Sequence, residues 1–226
     1  MCIFLALYSC VIILHAQSNQ SQYEGIFEYI EPYDGFAINW GDRYIYLFTN
    51  PEGALVGNAG TLSFKEDIVT SSNEYSNIPE NIGTNFKWKS EILPGDTVKF
   101  YLLNDNDEVA ATGMSKRIAA IDETTEDAIE GFWQYVSPNK GQAYNYRNHW
   151  IYLFETADGF HNFQAGTLEK EGNRYHNLIK FSSIPQNVGT SFQWSIEQMN
   201  GDTLKVVTYD NEGNRTGEGA AVRLKH

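Results

Sequence analysis

Ile78-Pro79-Glu80-Asn81-Ile82-Gly83-Thr84-Asn85-Phe86-Lys87-Trp88 returns 106 residues later as Ile184-Pro185-Gln186-Asn187-Val188-Gly189-Thr190-Ser191-Phe192-Gln193-Trp194. The same offset lays residues 23 to 118 on 129 to 224 without a gap, with 31 of 96 positions identical. Ile45-Tyr46-Leu47-Phe48 meets Ile151-Tyr152-Leu153-Phe154, and Ala59-Gly60-Thr61-Leu62 meets Ala165-Gly166-Thr167-Leu168. The chain is a duplication. Two copies of nearly a hundred residues each are domains, because solenoid units are shorter and need several neighbours to bury a core.

Each copy is built from runs rich in Tyr, Phe, Trp, Ile, Val and Thr, punctuated by Gly, Asn, Asp and Pro. That is the pattern of strands joined by hairpins, and no run sustains a helical period. Turn signals recur at matching places, among them Pro94-Gly95-Asp96 with Asn200-Gly201-Asp202 and the acidic Asn104 to Glu108 with Asp210 to Asn214. Seven or eight strands per copy suffice to close a sheet on itself and remove its edges. The expected fold is therefore all-β, two tandem antiparallel barrels over 23–118 and 129–226, joined by an acidic linker at 119–128.

Gly131-Phe132-Trp133 opens the first strand of copy two and Arg223 lies in its last, while copy one carries Gly25-Ile26-Phe27 and Arg117. The pairing resembles the lipocalin signature, and the chain looks like a tandem of the lipocalin-like domains found in exported bacterial proteins. The resemblance covers nearly all of residues 23 to 225. It implies a barrel with one open mouth, in which Arg223 stacks on Trp133, and Arg117 on Phe27, at the closed end. A guanidinium there caps the ring face and satisfies bare carbonyls. No fixed ligand or activity comes with it.

Residues 1–16 carry an apolar core from Ile3 to Leu14 followed by His15-Ala16, and read as a signal peptide cut after Ala16, with 17–22 as a polar tail. At helical rise that core covers roughly 18 Å of a hydrocarbon layer of about 30 Å, which argues against a permanent span. Leu7-Tyr8-Ser9-Cys10 resembles a lipoprotein box, but the apolar Val11 to Leu14 after it suits a leader better than a tether. Both cysteines fall in this segment, so the mature chain is expected to have no disulfide. Export to a periplasmic, cell-envelope or extracellular location follows. The net charge of −13 argues against nucleic acid and anionic membrane surfaces as partners. Residues 23 to 118 hold 15 acidic and 7 basic side chains, residues 129 to 226 hold 10 and 9, so the copies are not expected to share one ligand.

Candidate ligand-binding residues come from the aromatic stripes. Tyr44, Tyr46 and Phe48 alternate with Ile45 and Leu47, and Trp150, Tyr152 and Phe154 alternate with Ile151 and Leu153. Strand period sends each stripe either into its barrel or outward against the other domain. The segments before them, with Trp40 in one copy and Tyr144 and Tyr146 in the other, read as loops at a barrel mouth. His149, His161 and His176 occur only in copy two, where copy one has Arg43, Leu55 and Thr70, and together with Trp150 and Tyr152 they mark copy two as the expected site. Spacings of twelve and fifteen residues put the three histidines on different strands; they read as polar surface before they read as a zinc site. No nucleophile with its base, fixed carboxylate pair or phosphate loop is present, so nothing compels an enzyme, and no cofactor or metal is expected. The expectation is an exported binder of a small, largely apolar or aromatic molecule. A carbohydrate-binding or cell-surface scaffold role is the alternative, and a cofactor-free isomerase or cyclase the third.

Overall fold

The computed structural model describes residues 23–30, 33–121, 127–156, 159 and 161–224. The leader at 1–16, the tail at 17–22 and positions 122–126 of the linker lie outside the described residues. Copy one forms β1 (Gly25–Ile30), β2 (Asp34–Trp40), β3 (Arg43–Thr49), β4 (Leu55–Lys65), β5 (Ile68–Ser76), β6 (Asn85–Leu93), β7 (Thr97–Leu103) and β8 (Val109–Ala119). Copy two repeats them as β9 (Gly131–Ser137), β10 (Gly141–Tyr146), β11 (His149–Glu155), β12 (His161–Glu171), β13 (Arg174–Ser182), β14 (Ser191–Asn200), β15 (Thr203–Tyr209) and β16 (Arg215–Arg223). Each set of eight runs up and down in chain order and closes on itself, β8 pairing with β1 and β16 with β9. Two closed antiparallel barrels in tandem result.

The repeated motif that reveals the duplication is the link between β5 and β6, and between β13 and β14. Pro79–Asn81 and Pro185–Asn187 each make one short 3-10 turn, with proline at its start where a missing N–H costs nothing. The identical Ala-Gly pairs have an equally local cause. Register shifts at Ala59/Gly60 and Ala165/Gly166 bend β4 and β12, and a Cβ at Gly60 or Gly166 would lie 1.9 Å from the carbonyl oxygen of Ser72 or Leu178. Only glycine tolerates that approach.

Strand period assigns two different jobs to the two faces of β3. Tyr44, Tyr46 and Phe48 point into the first barrel, while Ile45 and Leu47 point out and are fully buried. They are buried because the second barrel covers them. One hydrophobic cluster joins Ile26, Phe36, Ile38, Ile45, Leu47 and Ala59 to Phe132, Tyr144, Tyr146, Ile151, Leu153, Phe163 and Ala165. Five of these pairs are repeat equivalents, so the two barrels meet through the same face, related by a pseudo-two-fold. Equivalent positions therefore approach each other on the axis. There Gly57 faces Phe163, its own counterpart 106 residues on, and a Cβ at Gly57 would lie 2.6 Å from that ring. Two large side chains cannot share an axis position, and here one copy supplies the ring and the other the space for it.

Candidate functional site

The closed ends fix the depth of each interior. In the second barrel the Arg223 guanidinium lies 4.4 Å from the Trp133 ring centre and donates to the carbonyls of Glu130 (2.5 Å) and Ala128 (2.6 Å). The indole Nε1 of Trp133 donates to Ile129 O at 2.7 Å. In the first barrel Arg117 is the cross-strand partner of Phe27, and its guanidinium reaches Asp96 at 3.5 Å. Glu24 and Glu130 brace the same ends, accepting from the backbone N–H of Gly41 (3.1 Å) and Arg147 (2.8 Å) in the following hairpin turns.

Above its closed end the first barrel holds a cavity of about 260 Å³. Its wall runs from Tyr23, Phe27 and Trp88 at the closed end, past Tyr44 and Tyr46, to Tyr29, Tyr33, Phe48 and Phe100 at the mouth. The four mouth rings pack on one another at centroid distances of 5.2 to 6.4 Å. Polar groups on the wall are neutral: Asn39, Asn58, Ser71, Asn81, Ser115 and the phenols, with no charged side chain among its described residues. Tyr44 Oη donates to Asn73 Oδ1, Asn58 Nδ2 donates to Tyr46 Oη, and Trp88 Nε1 donates to Ser71 Oγ at 2.9 Å. Burial raises the pKa of Tyr29 and Tyr44 far above that of an ordinary phenol, nearby phenols adding to it, and pushes Tyr46 up to about 12 against the Asn58 hydrogen bond. At neutral pH the phenols are hydroxyls, not bases.

The same walls in the second barrel carry larger groups near the closed end. Trp133 stands where copy one has Phe27, Trp150 for Tyr44, Tyr175 for Val69, Asn177 for Ser71 and Leu204 for Val98. Tyr175 stacks on Trp194 at 4.3 Å, and Trp150 packs against Tyr152 at 4.5 Å with the rings tilted by 50°. Trp133, Trp150, Tyr175, Trp194 and Leu204 are all buried in one cluster. Asp127 seals this end, accepting from Tyr175 Oη (2.9 Å) and Lys170 Nζ (2.8 Å).

Of the candidate residues, Tyr44 and Tyr46 line the cavity, whereas Trp150 and Tyr152 lie in the packed interior of the second barrel. The segments expected as mouth loops are strands. Trp40 ends β2 and Tyr146 ends β10, both beside hairpin turns at the closed ends, and their outward rings pack into the seam between the barrels. Trp40 meets Tyr144 edge-on at 5.8 Å, and Tyr146 Oη donates to Ala120 O at 3.2 Å. Tyr146 is 2% exposed, so the ring that a carbohydrate platform required at the surface is covered. Every residue of β10 is buried because its two faces serve the barrel and the seam at once.

The three histidines occupy outward positions on β11, β12 and β13 and meet different neighbours. His149 packs against Phe36 at 5.6 Å, and burial, with Lys180 adding, holds its pKa below the usual value. His161 Nδ1 lies 3.1 Å from Ser76 O, and His176 lies 3.6 Å from a carboxylate oxygen of Glu171 on the outer surface. Among the described residues no group of three His, Cys, Asp or Glu is placed to hold a metal ion. The acidic Asn104 to Glu108 is a hairpin turn, Asn104 Oδ1 accepting from the N–H groups of Asn106 and Glu108. Asp210 does the same for Glu212 and Asn214. The cavity thus lies in copy one, while the three histidines that distinguished copy two are seam and surface residues, and Trp150 and Tyr152 pack in that barrel's own cluster. The wall residues that the stripe did not reveal, Tyr29, Asn39, Asn58, Trp88 and Phe100, sit on the inward face of their strands, and the two-residue period around Ala37-Ile38-Asn39 carries that signal.

No helix among the described residues is long and apolar enough to cross a membrane. Compared with known proteins, the chain matches no family model and no curated protein.

Proposed function

We propose that the protein is an exported, lipocalin-like binding protein whose first barrel holds one small, neutral, largely apolar molecule, the second barrel serving as its rigid support. The observation that carries this reading is the cavity of about 260 Å³ with an aromatic wall and no charged group among the described residues lining it. Apolar walls supply affinity and a few fixed polar tips supply orientation. The volume is just below the roughly 300–1,000 Å³ usual for drug-sized ligands, which fits a molecule of one or two rings. An ion is disfavoured, since a buried charge without a partner costs several kcal/mol or changes its protonation instead. Protonated phenols in place of a base favour binding over catalysis.

The test is native mass spectrometry of the protein purified from its own host, followed by a thermal-shift screen of neutral aromatics, lipids and oligosaccharides. A ligand present at 100 times its Kd adds about 2.7 kcal/mol, an easily read rise in Tm. Stabilisation by neutral ring compounds is the expected result. A screen in which no class raises Tm and no co-purified mass appears would overturn the reading.

A further inference from the structure

One tyrosine and one asparagine occur identically in both barrels and are partnered differently. In the second barrel Tyr152 Oη donates to Asn145 Oδ1 at 3.1 Å, and Asn145 is 3% exposed. In the first barrel the corresponding Tyr46 hydroxyl is held by Asn58, so Asn39, the counterpart of Asn145, is released from that bond. Asn39 stands half-buried on the cavity wall, opposite Tyr44 in the β2–β3 register. Asn58 lies on the same wall opposite Tyr46, is 1% exposed, and its Oδ1 has no hydrogen-bond partner. Tyr44 and Tyr46 are two residues apart, which sets the amides about 7 Å apart along the barrel.

A buried amide oxygen without a partner destabilises a fold, a cost that a donor group on a bound molecule would remove. We infer that Asn39 and Asn58 are the polar anchor of the cavity, and that its ligand is a neutral flat ring compound bearing an O–H or N–H group. The ring body lies among Phe27, Trp88 and the mouth aromatics. The hydroxyl or N–H donates to Asn58 Oδ1 or to the Asn39 carbonyl, and the Asn39 amide donates back to an oxygen. An ammonium or carboxylate finds no counter-charge on the described wall, so the donor it selects is uncharged.

This inference rests on the binding reading, and one experiment separates the two. Isothermal titration of the full chain compares 2-naphthol with 2-methylnaphthalene, which has the same size and lacks the hydroxyl. The expected result is binding of both, with 2-naphthol about tenfold or more tighter. Asn39→Leu and Asn58→Leu should each shrink that ratio, near-UV circular dichroism reporting the fold of each variant. The two-ligand comparison on the unaltered protein needs no variant. Equal affinities there, or a ratio that survives in both folded variants, overturn the anchor and leave the binding reading standing. Failure of both compounds to bind overturns the binding reading, and the anchor with it.

Discussion

Placing Gly57 against the ring of Phe163 makes the seam between the barrels testable by a single methyl group. Gly57→Ala sets a Cβ at 2.6, 2.7 and 2.9 Å from three atoms of that ring, all inside ordinary contact distance. Phe163 is 0% exposed and enclosed by the shared cluster, so its ring has nowhere to swing. Overpacking of this kind costs about 1–3 kcal/mol. The backbone at Gly57 is not among those with positive φ, so alanine there would otherwise stabilise by about 0.4–1 kcal/mol through the unfolded chain. The sign of the change is therefore informative as well as its size. Phe163→Ala alone should cost about 3–5 kcal/mol. In the double variant the clash is gone and the added methyl fills part of the hole, so the combined loss should fall short of the sum by about 1–3 kcal/mol. Urea unfolding of the three variants and the parent, read as a change in midpoint at constant m-value, measures each term. A neutral or stabilising Gly57→Ala, or additivity within about 0.5 kcal/mol, would refute the face-to-face packing.

Four further outcomes are expected. Refilling the first barrel with the second barrel's residues, Phe27→Trp with Tyr44→Trp, should weaken binding of any cavity ligand about tenfold or more while the chain stays folded; titration with unchanged affinity would move the site elsewhere. Trp133→Phe removes the bond to Ile129 O and leaves that carbonyl bare, and should lower stability by about 2–4 kcal/mol in thermal melts. His149 is held neutral by burial, so its contribution is complete above the unfolded value near 6.5 and is lost as pH falls through that value toward the lower folded one. In His149→Gln the stability difference between pH 7 and pH 5 should shrink, as denaturant midpoints at the two pH values will show. The leader reading requires the native protein to begin at Gln17, and an intact mass retaining Met1, or a lipid on Cys10, would defeat it.

The fold was legible because the duplication is gapless and the alternation of Tyr44, Tyr46 and Phe48 with Ile45 and Leu47 fixes strands. Alternation alone does not say which face is the interior. Both faces of β3 are apolar, and a strand apolar on both sides is one covered on both sides. That was the available signal for the seam, and it bears equally on β10, where Gln142, Tyr144 and Tyr146 took on the look of a polar aromatic loop. The site was harder to read. His149, His161 and His176 drew attention by being absent from copy one, yet they are outward residues, and difference between copies locates a cavity only at inward positions. Compared there, Phe27 with Trp133, Val69 with Tyr175 and Tyr44 with Trp150 already indicate which barrel has room.

Duplication followed by packing through one shared face lets the two interiors diverge. A barrel wall lined by a cavity lacks contacts on one side and is correspondingly less well supported. Here the strand that bears Tyr44 and Tyr46 inward bears Ile45 and Leu47 outward, and those outward groups are clamped on the second barrel through Ile151, Leu153 and Phe163. The aromatic packing of Trp133, Trp150 and Trp194 in copy two therefore stiffens the wall of copy one from outside. Identical copies could not make this arrangement, because two phenylalanines would collide at the axis and two glycines would leave a hole. The exchange of one ring for one hydrogen atom at 57 and 163 makes the seam asymmetric, as the side chains on the inward walls make the interiors.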